Sequence, residues 1–72
     1  LDRRLFQMIE KGLKPGGVLI FESFIDDNKN YCMKTNELLH AFSSFRIVYY
    51  EEKKNDPSEK FDQSVYMAAV KK

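Results

Sequence analysis

Glu22, Ser23 and Phe24 close an apolar run that begins at Val18, and Tyr31, Cys32 and His40 follow in the polar stretch and the helical segment after it. These side chains have chemistry to offer. A carboxylate can hold or move a proton, an imidazole can act as a general base, and a thiolate can attack or bind a soft metal. Aromatic rings can seat a planar or cationic group. Position favours the first set. In open α/β sheets, ligands bind beyond the carboxyl ends of the parallel strands. Glu22 and Phe24 stand at such an end, and Tyr31 lies in the loop that follows, so all three are candidates for lining a substrate pocket. The plainer alternative has Glu22 capping local backbone and Phe24 packing in the core.

The other reactive types have less support. Cys32 has no neighbour in sequence that would depress its pKa, and reads as an ordinary loop cysteine. His40 has no adjacent partner, and its helical position reads as solvent-facing or partly packed. No catalytic residue is assigned. One cysteine and one histidine are too few for a structural zinc site, and a single cysteine allows no disulfide within the chain. No metal site is expected. Tyr49 and Tyr50 fall on opposite faces of one strand, one packed and one exposed.

Charge narrows the partners. The formal net charge is +1, and Lys53-Lys54 and Lys71-Lys72 are short pairs beside acids or at the end of the chain. A nucleic-acid surface needs a clear basic stripe, which is missing here, so no nucleic-acid partner is expected. No run approaches the ~20 apolar residues that cross a bilayer, and no signal-peptide pattern opens the chain. The expectation is a cytoplasmic protein without a membrane partner. Because the chain opens on Leu1 in a helical pattern, it also reads as continuing upstream.

The elements that would position these residues follow from periodicity. The 72 residues make one domain at most, and chains this short bury only about 60% of their unfolded surface. Residues 2–12 read as a helix, with Leu5, Met8, Ile9 and Leu13 on one apolar face and Asp2 as N-cap or first-turn acid. Leu13-Lys14-Pro15-Gly16-Gly17 then predicts a type II turn. The strand from Val18 to about Phe24 is apolar enough to be buried on both faces. A polar connection spans 25–34, and a second helix covers about 35–43, capped by Thr35, with Leu38, Leu39, Ala41 and Phe42 as its buried stripe. A strand at about 45–52, a polar loop with Asp56-Pro57-Ser58, and a strand at about 63–70 complete the chain.

The helical connection makes the first two strands parallel, and the loop makes the last two antiparallel. The third strand is the least polar and has the smallest side chains, which puts it in the centre. The second strand ends in charges and fits an edge. The expected fold is α/β: a three-stranded mixed sheet in the order first-third-second, with two helices.

This arrangement, with the Leu-Lys-Pro-Gly-Gly turn, resembles the C-terminal part of a class I S-adenosylmethionine-dependent methyltransferase. Leu1-Asp2-Arg3-Arg4-Leu5-Phe6, Phe21-Glu22-Ser23-Phe24, Glu37-Leu38-Leu39-His40-Ala41-Phe42 and Phe45-Arg46-Ile47-Val48-Tyr49-Tyr50-Glu51 look like the tellurite-resistance-type branch. The resemblance covers essentially the whole chain. It implies a Rossmann-like fold of which residues 1–72 form a single partial domain. It also implies that S-adenosylmethionine is held by the intact protein through a first half absent from this chain. The family's glycine-rich strand-to-helix turn has no counterpart, since Gly16 and Gly17 lie between a helix and a strand. No cofactor-binding residue carries over, and this piece alone is not expected to bind the cofactor or transfer a methyl group.

Two functional readings stand. In the first, the chain is the C-terminal segment of a methyltransferase acting on a small molecule, with the missing N-terminal half as its partner. In the second, it is a self-associating or partner-binding α/β module without catalysis, forming a homodimer through the strand Val18–Phe24. The identity of the methyl acceptor is not written in either.

Overall fold

The computed structural model describes residues 2–72. It contains α1 (Arg4–Gly12), β1 (Val18–Ile25), α2 (Glu37–Ala41), β2 (Arg46–Lys54) and β3 (Gln63–Val70). The expected element order and the sheet order β1-β3-β2 are both found. Both ladders are antiparallel, so the sheet is antiparallel rather than mixed. β1 and β2 do run in the same direction, as the helical connection requires, but they never meet because β3 lies between them.

Local chemistry sets the element ends. The Asp2 carboxylate accepts the N–H of Arg4 at 3.0 Å, at the entry to α1. Gly16 takes φ +86 in the turn after α1, a conformation that glycine reaches without a Cβ clash. The Gly17 N–H closes that turn on the Lys14 carbonyl at 2.8 Å. Thr35 does not cap α2. Its N–H and hydroxyl both go to Asp27, each at 2.7 Å. Asn36 precedes the helix instead, at φ 61, a left-handed geometry that asparagine tolerates. α2 is therefore shorter than the expected segment.

Both helices pack on one face of the sheet. β3 contributes Val65, Met67 and Ala69 to the core, β1 contributes Leu19 and Phe21, and β2 contributes Ile47 and Tyr50. Phe42, fully buried, sits among three other rings: Phe45 at 5.2 Å, Phe6 at 5.6 Å and Phe21 at 6.4 Å between centroids. These are tilted and edge-on contacts of the kind aromatic quadrupoles favour. The Arg3 guanidinium ties the start of α1 to the next layer. It donates to the carbonyls of Asn30 and Cys32, each at 3.0 Å, and pairs with the Glu37 carboxylate.

Two expectations are corrected here. β1 is buried on one face only: Leu19, Phe21, Ser23 and Ile25 face the helices, while Val18, Ile20, Glu22 and Phe24 stay exposed. The reason is that, among the described residues, no helix lies on the opposite side of the sheet. The helix face is also rotated. Phe6, Ile9 and Leu13 meet the core, whereas Leu5 and Met8 are exposed. Arg3 and Glu10, held by Glu37 and Ser44, fix the opposite flank of α1 against α2 and the residues after it.

Phe42→Ala removes the ring common to these contacts. It is expected to cost about 3–5 kcal/mol, a large part of the stability of so small a domain, and denaturant unfolding monitored by circular dichroism measures it. A second prediction concerns acid. The Arg3 guanidinium, then the Lys34 N–H, hold the Glu37 carboxyl below its ordinary value of 4.5 against the opposing effect of burial. Because the folded pKa is lowered, the unfolded state binds more protons in that range and stability rises with pH. The contribution is present above the ordinary value of 4.5 and is lost as pH falls through the lowered folded value. Glu37→Gln should flatten this part of the profile, read as unfolding midpoint against pH.

Candidate functional site

The polar connection after β1 is an ordered loop. The Ile25 and Met33 backbones form a parallel bridge, in which the Asp26 N–H donates to the Met33 carbonyl and the Met33 N–H to the Phe24 carbonyl, each at 3.0 Å. Met33 and Cys32 are buried beneath the loop. The Lys34 ammonium donates to the carbonyls of Asp27 and Lys29 at 2.9 and 3.1 Å. The Thr35 N–H, then its hydroxyl, hold the Asp27 carboxyl below its ordinary value. This framework carries Tyr31 back to the carboxyl end of β1.

There an aromatic platform forms. Phe24 stacks on Phe61 with centroids 4.7 Å apart and an interplanar angle of 24°, and Tyr31 meets Phe61 edge-on at 6.4 Å. Two cations flank it. The Lys29 ammonium lies 5.5 Å from the Phe61 centroid and 6.0 Å from that of Tyr31, and the Lys60 ammonium lies 5.5 Å from Phe61. Lys29 is also 3.6 Å from the Asp26 carboxylate. Its pKa is raised, first by its electrostatic interaction with Tyr31 and next, in the same direction, by hydrogen bonding to Tyr31 and the charge of Asp26, against desolvation. The arrangement presents ring faces and edges, flanked by cations, to any group that lies against it. It is an open shelf, and no enclosed pocket forms among the described residues.

Two of the three residues singled out from sequence, Phe24 and Tyr31, are thus brought together, but through Phe61, which sequence reasoning passed over. The available signal was a lone aromatic within the polar run 53–62. Glu22 is on the same sheet face as Phe24 but outside the cluster, opposite Tyr66 in the ladder and in line with Glu51 beyond it. Neither plain alternative holds: Glu22 caps no backbone among the described residues, and Phe24 stacks on the uncovered face rather than in the core.

The remaining candidates separate widely. Cys32 is buried, and its carbonyl, not its thiol, meets Arg3. His40 is exposed on α2. Tyr49 lies on the open sheet face, while Tyr50 faces inward and donates its hydroxyl to Glu52. Burial, and then that carboxylate, push the Tyr50 phenol well above its ordinary range. Among the described residues, no group of side chains could hold a metal ion and no helix is long and apolar enough to cross a membrane.

The glycines do not build an anion cradle. A Cβ on Gly17 would lie 2.9 Å from the Lys14 carbonyl oxygen, so that residue serves the close turn between α1 and β1. Among the described residues, no glycine-rich turn leads from a strand into a helix.

The Phe24–Phe61 stack is expected to couple the two residues by about 0.5–1.5 kcal/mol. A double-mutant cycle with Phe24→Ala and Phe61→Ala, read by urea unfolding, measures this. No coupling would mean that the rings are merely neighbours.

No family model matches the chain, and neither the curated proteins nor the solved structures contain a match.

Proposed function

We propose that this chain is the C-terminal segment of a cytoplasmic S-adenosylmethionine-dependent methyltransferase of the tellurite-resistance type, acting on a small-molecule acceptor. The observation that carries the reading is the topology. β1 and β2 are connected through a helix and run in one direction, and an antiparallel β3 is inserted between them. That is the arrangement expected at the end of the resembling Rossmann-like domain.

The surface supports the same reading. The sheet is covered by helices on one face only. Its other face shows Val18, Ile20 and Val48 to solvent, and β1 forms an open edge. A doubly wound domain would continue its sheet at that edge and cover that face with a second helical layer. In such a domain the shelf of Phe24, Tyr31 and Phe61, with Glu22 behind it, would form one wall of the acceptor site, beyond the carboxyl end of a parallel strand.

No step of methyl transfer is assigned to residues of this chain. The cofactor's chemistry is to offer an electrophilic methyl group, and its seat belongs to a first half not contained here. What this segment supplies is sheet completion and an acceptor wall, a contribution to proximity and orientation rather than to proton transfer.

The coding DNA upstream of Leu1 tests the proposal. It is expected to continue in frame through a strand, a glycine-rich turn and a helix. The extended protein is then expected to bind S-adenosylmethionine in calorimetry, while the 72-residue chain shows no heat. An in-frame stop close before Leu1, or an extended protein that ignores the cofactor, would overturn it.

A further inference from the structure

The two edges of this sheet are built differently. β2 has a bulge between Ile47 and Tyr49 and ends in Glu51, Glu52, Lys53 and Lys54. Bulges and charges are what keep an edge strand from pairing with another chain. β1 has no bulge, and Glu22 is its one charged residue. Its exposed residues include Ile20, at 80% relative exposure, and Val18, at 63%.

The direction of the β1 backbone groups is fixed at both ends. The Gly17 carbonyl accepts from Lys71, in line with β3, at 2.9 Å, whereas the Phe24 carbonyl accepts from Met33 on the other side at 3.0 Å. Alternation along the strand then points the N–H and C=O groups of Val18, Ile20 and Glu22 toward the open edge.

We infer that a second copy of this chain covers this edge, with the two β1 strands antiparallel about a twofold axis through Ile20. The occupant is argued from self-complementarity. Pairing Val18 with Glu22 of the second copy, Ile20 with Ile20, and Glu22 with Val18 satisfies the edge-facing groups of these three residues on both strands. A slip one way sets Val18 against Phe24, whose carbonyl Met33 already holds. A slip the other way sets Glu22 against Gly16, whose N–H is bonded to the Lys71 carbonyl at 2.7 Å. The central register also keeps the two Glu22 carboxylates at opposite ends of the seam, four residues or about 14 Å apart along the strand. With a net charge of +1, two copies meet little overall repulsion. The product is one continuous sheet with all helices on the same side. A strand from the same domain reaching this edge would displace the second copy.

The test uses the 72-residue chain and thiol crosslinking. A hydrogen-bonded antiparallel pair holds its Cα atoms about 5.5 Å apart, within disulfide reach. Ile20→Cys is therefore expected to form a disulfide-linked dimer on mild oxidation, above the background set by the wild-type chain with its buried Cys32. Val18→Cys, with its thiols about 14 Å apart, is expected not to crosslink. Sedimentation should show a dimer that dissociates on dilution. Ile20→Lys should weaken it at least tenfold without altering the circular dichroism spectrum. Hydrogen exchange should find the Val18, Ile20 and Glu22 amides protected in the dimer.

A monomer up to millimolar concentration overturns the inference. So does a dimer whose edge amides exchange freely, or equal crosslinking through Val18→Cys. None of these readouts involves cofactor or methyl transfer, so they fail or succeed independently of the enzyme reading.

Discussion

Phe42 is the constraint on which the packing depends. It follows α2, precedes β2, and its ring meets one phenylalanine from α1, one from β1 and one from the turn into β2. α2 has only five helical residues, far below the length at which a helix holds itself in water. Its position comes from Leu38 and Phe42 buried beneath it, and from Glu37, which receives both the Lys34 N–H and the Arg3 guanidinium. The polar tie at Arg3 therefore acts as a locator, and the rings supply the cohesion.

Much of this was legible in the residues. The uncharged run Ser64–Val70 marked the central strand. The charged end of β2 marked an edge, and Pro15-Gly16 marked the turn. The parts that were not legible share a cause: each depends on what lies across space rather than along the chain. Periodicity cannot say how many layers a sheet receives, so the apolar stretch from Val18 read as doubly buried when only one face is covered. It also cannot say where on the sheet a helix rests. The apolar set Leu5, Met8, Ile9 and Leu13 consequently included two exposed residues and omitted Phe6, which is buried.

The candidate site shows the same division. Phe24 and Tyr31 were found because strand ends and the loops after them are where ligands gather. Phe61 was not, because its position depends on the β2–β3 connection folding back over the end of β1. Thr35 was misplaced as a cap because Asp27, eight residues earlier, competes for both its donors. A short polar side chain near a helix start offers several local bonds, and sequence alone does not rank them.

The placement of β3 has a consequence for the order of events in folding. The strand that must stand between β1 and β2 follows both of them in the sequence. Neither neighbour has a ladder partner until it arrives, and the pairs it forms with β1 close a long stretch of intervening chain, as Val18 with Val70 does. Such non-local contacts are slow to form. During synthesis the emerging chain therefore passes through an interval in which the segments of its first two strands have no sheet to join, and its apolar inner rows have nothing to bury against. The interval ends only when the Gln63–Val70 segment has left the ribosome. Until then the nascent chain is a substrate for chaperones or for a neighbouring chain.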